Sequence, residues 1–127
     1  MTSLILDAGA LVAIERGDRV MHALLMAARR HGAPLRTNPM VVAQVWRGDG
    51  GRQARLAAAL EAVEVRTIDS SIGRAAGTLM ARAGTSDPID ASLVLLASDG
   101  DDILTSDPDD LRRLVVAAGV RAAIIRC

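Results

Sequence analysis

The chain has 127 residues, the size of one domain, and carries a formal net charge of zero, which argues against a globally basic nucleic-acid binder. Half of it is apolar, yet Phe and Tyr are absent, Trp46 is the only aromatic residue, and all fifteen basic residues are Arg, so mechanisms that need a lysine amine are excluded. Cys127 stands alone, which excludes intrachain disulfides and Cys-based zinc sites and suits a reducing compartment.

Ser3-Leu4-Ile5-Leu6 reads as a strand buried on both faces. After Asp7, a first helix is expected over residues 8–16 and a second over about 18–31, with Val20, Leu24 and Ala28 on one face and Gly32 as its stop. Leu35-Arg36-Thr37 is a weak strand. Asn38-Pro39 then supplies a cap and a first-turn proline for a helix through Val41, Val42 and Val45 to about Arg47. Gly48-Asp49-Gly50-Gly51 breaks that helix, and residues 52–62 are helical again. Residues 63–68 alternate apolar with polar, the pattern of an edge strand with one wet face. A helix over 70–83 follows, placing Ile72, Ala76, Leu79, Met80 and Ala83 on one side. Asp87-Pro88 opens a helix to about Ser98, residues 103–105 form a strand, Asp107-Pro108 opens a helix to Ala118, and residues 122–125 close as a strand. Five strands separated by helices predict a parallel sheet with right-handed crossovers, a three-layer α/β/α sandwich.

No signal core is visible, because Leu4-Ile5-Leu6 is cut short by Asp7. The apolar stretch 114–125 is interrupted by Arg121 and falls short of the roughly 18 residues a spanning helix needs. A soluble protein with no membrane partner is expected.

The neutral total conceals segregation. Residues 83–111 hold eight acids and no base, whereas residues 8–82 have a net charge of +5 and residues 112–127 add four Arg. Such blocks suit an acidic cleft flanked by basic surface, the field a metal-dependent enzyme acting on a polyanion would use; separate solvated faces are the plainer account.

Within the acids, Asp7 ends the first strand and Asp107 follows the fourth, so both can project from the carboxyl edge of the sheet, where ligands bind in such folds. Asp90 lies one turn into its helix with Asp87 three residues before it, within mutual reach. Carboxylates meeting in one cleft repel unless protonated or neutralised, and Mg²⁺ or Mn²⁺ is the ordinary solution. Helix capping explains the same residues: both Asp-Pro-x-Asp segments are good helix starts, Asp7 suits a cap, and Asp69 is assigned only that role. The two readings are compatible.

Four blocks carry a family resemblance: Leu4-Ile5-Leu6-Asp7 with Ala10-Leu11-Val12-Ala13-Ile14; Val41-Val42-Ala43-Gln44-Val45-Trp46-Arg47; Asp90-Ala91-Ser92-Leu93-Val94; and Ile103-Leu104-Thr105-Ser106-Asp107 with Asp110-Leu111. In this order and spacing the chain resembles PIN-domain nucleases, specifically the small stand-alone toxins of the VapC type, and residues 1–127 read as one PIN-like domain. The resemblance implies an endoribonuclease in which Asp7, Asp90 and Asp107 bind Mg²⁺ or Mn²⁺, with Asp87 and Asp110 in support and Thr105 or Ser106 positioning the cluster or the attacking water. It also implies a cytoplasmic toxin with an RNA substrate, products ending in 5′-phosphate and 3′-hydroxyl, a VapB-like protein antitoxin and a homodimer. Gln44 departs from the pattern, since many relatives carry Glu there. Its amide offers a carbonyl oxygen and two donors, but one negative charge fewer. A PIN-fold module that binds RNA, metal or a partner without cleaving is therefore the competing reading.

Arg47, Arg52 and Arg55 flank the glycine-rich break and are candidates for phosphate contacts. Trp46, beside apolar Val45, is expected to pack, with base stacking as the other reading. His22 and His31 read as solvent-facing, and Cys127 as an exposed or packed thiol. A phosphoaspartyl phosphatase is disfavoured because Asp7-Ala8-Gly9 lacks a second Asp two residues on.

Overall fold

Strand β1 (Leu4–Leu6) is apolar at every position and buried throughout, so it belongs at the centre of a sheet covered on both faces. In the computed structural model, which describes residues 2–48 and 50–127, β1 is the middle one of five parallel strands. β2 (Leu35–Thr37) and β3 (Glu64–Val65) extend the sheet on one side, β4 (Asp102–Thr105) and β5 (Ala123–Arg126) on the other, in the order β3-β2-β1-β4-β5. The register sets Leu4 opposite Leu35 and Asp102, and Leu6 opposite Leu104.

Helices α1 (Ala8–Arg16), α2 (Arg19–Arg30), α3 (Pro39–Val45) and α4 (Ala54–Leu60) connect the first three strands, and α1 packs on the other three. Helices α5 (Ser70–Ala83), α6 (Pro88–Val94) and α7 (Pro108–Ala118) pack on one another. Right-handed crossovers place the two groups on opposite faces of the sheet. This is the α/β/α sandwich expected from the sequence, with a wholly aliphatic core that includes Ile5, Leu6, Leu11, Leu93, Ile103, Leu104 and Leu114. Among the described residues, no helix is long and apolar enough to cross a membrane.

Several boundaries differ from the expectation, each for a local reason. The helix expected to reach Arg47 ends at Val45, where Trp46 turns to extended backbone. Buried Gln53 holds that exit. Its Oε1 accepts from the N–H groups of Arg47 and Gly48 at 2.9 and 3.2 Å, and its Nε2 donates to the Val45 carbonyl at 3.0 Å and to Glu15 Oε1 at 2.6 Å. These bonds replace the partners that further helix would have supplied. Trp46 thereby leaves the helix surface and is 41% exposed, so the packing expected of it does not form.

Residues 52–62 are not one helix: a 3₁₀ turn (Gly50–Gln53) precedes α4. Asp49, in the glycine-rich break, lies outside the described residues, as does Met1. Residues 63–68 do form an edge strand, but only Glu64 and Val65 pair, and both are exposed. Helix α6 stops at Val94 rather than Ser98, because Leu96 and Ala97 donate to Leu93 and Val94 in the tighter i to i−3 pattern. On α2 the buried face starts at Met21, while Val20 is 69% exposed. β4 begins one residue earlier than expected, and β5 one residue later at both ends.

Asp101, one of the eight clustered acids, is a structural clamp. It is 3% exposed; its Oδ1 accepts from the Ser3 N–H at 2.9 Å and its Oδ2 from the Ser98 N–H at 2.8 Å, tying the start of β1 to the loop before β4. Asp101→Ala strands both donors and is expected to cost about 2–3 kcal/mol in urea unfolding. Asp101→Asn keeps one acceptor and should cost about half as much. A loss below about 0.5 kcal/mol for the alanine variant would show that water replaces the clamp.

Candidate functional site

The strand order reverses direction between β1 and β4, the position at which open parallel sheets bind ligands beyond their carboxyl ends. Two buried threonines and one buried aspartate build this edge. The Asp7 N–H extends the ladder by donating to the Leu104 carbonyl at 3.1 Å, and the Thr37 hydroxyl at the end of β2 donates to the Leu6 carbonyl at 2.8 Å. Thr105, fully buried at the end of β4, accepts from the Asp107 N–H at 2.9 Å, and its hydroxyl is a hydrogen-bond partner of the Asp7 carboxylate. One hydroxyl therefore couples the two acids that leave adjacent strands.

Asp7 also caps α1, its Oδ1 accepting from the Ala10 N–H at 3.0 Å. The first turn of α1 sits tightly on the link between β4 and α7. A Cβ on Gly9 would lie 2.9 Å from the Ser106 backbone nitrogen and nearer still to its side chain, so only glycine permits the approach.

Helix α6 brings the third acid. Asp87 caps it, accepting from the N–H groups of Ile89 and Asp90 at 2.9 and 3.2 Å, and Asp90 lies half-buried in its first turn. The helix is fixed to the start of α3 by Asn38, which caps α3 through Oδ1 and donates from Nδ2 to Ser92 Oγ at 3.0 Å. Ser92 in turn donates to the Ile89 carbonyl at 2.7 Å. Asp107, by contrast, makes no capping bond to α7, so its exposed carboxylate is not consumed by the helix start.

These acids feel one another. Burial raises the Asp7 pKa, and Asp107 raises it further, against the opposing pull of hydrogen bonds from Thr105, Ala10 and Gly9. Asp90 is pushed up to about 6, first by burial and then by the charges of Asp87, Asp7, Asp110 and Asp107. Asp7, Asp87, Asp90, Asp107 and Asp110 thus share one electrostatic neighbourhood, and among the described residues none forms an ion pair with an arginine.

The acidic block is therefore split. Asp101 and Asp102 lie at the amino edge of the sheet, where Asp102 is raised by burial and by Asp101. Asp99 accepts from the Arg121 N–H at 2.8 Å, and Asp109 pairs with Arg112 at 3.0 Å. Half of the eight acids serve the sheet's other end or its surface, a division the charge count does not reveal.

The arginine candidates also separate. Arg47 folds back on α3, donating to the carbonyls of Ala43, Gln44 and Trp46 at 3.3, 3.0 and 2.9 Å. Arg55 packs against Gly17 and lines an apolar groove of about 580 Å³ with Met21, Leu25 and Ala59. Arg52 is exposed. Gln44 and Ser106 are exposed and line a second cleft of about 630 Å³. His22 and His31 face solvent as expected. The exposed Cys127 thiol is pushed up to about 11 by desolvation and by Asp7 and Asp18, which makes it a poor nucleophile.

Sequence reasoning missed the positioning roles of Thr37, Asn38, Ser92 and Gln53. The available signal at Thr37 was a small polar residue closing a strand, the position Thr105 also holds.

The donor set fits a hard divalent cation in kind: carboxylates and a hydroxyl, mutually repelling and without a compensating base. No three described His, Cys, Asp or Glu side chains are placed to grip one ion together. That spacing fits a partly hydrated ion held by one or two carboxylates, the usual mode for Mg²⁺.

No family model and no curated protein matches the chain. Among solved structures it is similar to a chain of the VapBC2 complex from Rickettsia felis bound to a DNA fragment from their promoter, with 13% identity over 98% of this chain and 99% of that one and a TM-score of 0.72. The likeness carries the fold, and the PIN-like architecture expected from the sequence is the one adopted.

Asp90 supplies a pH test. Its folded pKa lies above the ordinary 3.8, so the folded state binds more protons than the unfolded state between about pH 4 and 6, and stability falls as pH rises across that window. Without divalent cation, Asp90→Asn should melt above wild type at about pH 7.5, with the difference closing toward about pH 4. Parallel melting curves across that range would contradict the electrostatic neighbourhood.

Proposed function

We propose that the chain is a metal-dependent endoribonuclease, the VapC-type toxin of a toxin–antitoxin pair acting in the cytoplasm. The observation that carries this reading is the convergence of Asp7, Asp90 and Asp107, with Asp87 and Asp110 beside them, at the reversal point of a PIN-like sheet without a compensating base.

Of Asp7, Asp90 and Asp107, one or two would hold Mg²⁺ or Mn²⁺ directly and the rest through its water, and the ion would supply positive charge for the phosphodiester and acidity for water. The chain's own residues do the positioning. Thr105 ties the Asp7 carboxylate to the Asp107 backbone N–H, Asn38 and Ser92 set the angle at which α6 presents Asp90, and Gly9 lets Ser106 approach the first turn of α1. No side chain need act as nucleophile, which agrees with the absence of Lys and the raised thiol of Cys127. Hydrolysis by water attacking phosphorus in line with a leaving 3′ oxygen would break the P–O3′ bond and leave 5′-phosphate and 3′-hydroxyl ends.

A protein antitoxin is the partner in this reading. The VapBC2 complex of the structural neighbour supports it, and the apolar groove between α2 and α4 is a surface for such a segment. A homodimer belongs to the same reading, with exposed Met40 and Val116 as apolar surface for a contact.

Wild-type protein is expected to cleave labelled RNA in Mn²⁺, and Asp7→Asn and Asp90→Asn should each lower the rate about 100-fold or more. Asn keeps an oxygen for the α1 cap, so the Asp7 variant should fold. Wild-type rates in both variants would sink the site assignment. RNA or antitoxin binding with no turnover in any divalent metal would establish instead the non-cleaving module that neutral Gln44 favours.

A further inference from the structure

A second cleft, of about 630 Å³, adjoins the carboxylate edge and is lined by Gly9, Val12, Arg16, Gln44, Ser106 and Cys127. Gly9 lies two residues from Asp7 and Ser106 is next to Asp107, so the cleft opens directly off the acidic cluster. Its size falls within the range of small-ligand sites, about 300–1,000 Å³. One wall, from α1, is small and apolar, the kind of surface against which a flat ring packs. Gln44 and Ser106 contribute exposed donors and acceptors.

Arg16 sets the charge. It ends α1, is exposed, makes no hydrogen bond or ion pair among the described residues, and is the one cation among those lining the cleft. Asp18 lies on the same cleft, but its Oδ1 is held by the Met21 N–H at 2.8 Å; it also borders the apolar groove and so marks the cleft's far end. A polyanion approaching Asp7 and Asp107 meets repulsion, and Arg16 is the lining group able to offset it. Its guanidinium matches phosphate oxygens bidentately. Of the other candidates for this task, Arg47 is engaged on the α3 carbonyls, and Arg55 lies on the apolar groove and not on this cleft.

We propose that this cleft receives the nucleotide next to the scissile bond of a single-stranded RNA, with Arg16 on its backbone phosphate. The proposal rests on the ribonuclease reading for its ligand but is tested without catalysis. Binding of a fluorescein-labelled single-stranded oligoribonucleotide is followed by anisotropy in EDTA over a range of salt. Arg16→Gln should weaken binding roughly tenfold and reduce the salt slope by about 0.7, the value of one phosphate contact on a single strand. Arg16→Lys should keep the slope because it keeps the charge. Arg30→Gln, an exposed arginine outside the cleft, should stay within about twofold of wild type. Bound RNA should also slow alkylation of Cys127, the sole thiol, at least about threefold, reporting occupancy independently of Arg16.

Wild-type slope and affinity in Arg16→Gln, an unprotected Cys127, or failure of the wild-type chain to bind RNA would each overturn the proposal. RNA that binds with the predicted Arg16 dependence but is never cleaved in Mn²⁺ would leave the cleft assignment standing and overturn only the nuclease reading.

Discussion

A parallel ladder between β1 and β4, carried one residue past β1 by the bond from the Asp7 N–H to the Leu104 carbonyl, forces two carboxylates to leave the sheet side by side. Everything at the carboxyl edge answers to that constraint. Thr105 sits between the two acids, its fully buried hydroxyl bonded to the Asp7 carboxylate and to the Asp107 N–H, so the backbone positions from which they project are set by the strands. Gly9 lets α1 start close enough for Asp7 to cap it while Ser106 lies against the same turn. The cost is electrostatic: burial and neighbouring charge raise both Asp7 and Asp90. A structure that only needed stable helix starts would have no reason to aim a third acid from α6 at the same place, since Asp87 already caps that helix.

The two ends of the sheet use carboxylates in opposite ways. At the amino edge both oxygens of Asp101 accept backbone donors, which stabilises the folded chain by satisfying the buried N–H of Ser3 and holding the loop at Ser98. At the carboxyl edge Asp107 has no capping bond and is free to meet a ligand. The same residue type within one acidic stretch is therefore structural at one end and chemically available at the other. For the acids that flank β4, the end each serves depends on whether the chain presents it before or after the strand. A net charge summed over residues 83–111 cannot carry that information.

Much of this was legible in the sequence, and the limits are physical. β1 announced itself because three consecutive buried apolar residues admit few other placements. The placement of Asp7 and Asp107 follows from each lying within two residues of a strand end, and the caps at Asp69 and Asp87 follow from local chemistry that the structure repeats. The end of α3 and the exposure of Trp46 are not legible in the sequence, because that end is decided by Gln53, whose partners on α1 and α3 lie 38 and 8 residues away. Val20 and Met21 differ by one position, and helical periodicity alone did not choose between them. Asn38 was visible as a cap, but its second bond to Ser92 spans 54 residues and belongs to tertiary structure.

The distribution of arginine follows from the same geometry. A chain without Lys must use Arg for helix ends, ion pairs and any polyanion contact alike, so position relative to the strand ends has to separate these tasks. Arg47 closes the carbonyls of α3, Arg36 joins Glu64 across β2 and β3 while donating to Ser3, and Arg112 pairs along α7. Each has a partner close in the ladder or in the helix. Arg16 reaches the second cleft because Gly17, in the left-handed conformation at φ 71°, ends α1 immediately after it. The helix that begins by placing Asp7 at the acidic edge thus finishes by placing a cation on the cleft beside it, and nine residues of α1 fix the relation between the two.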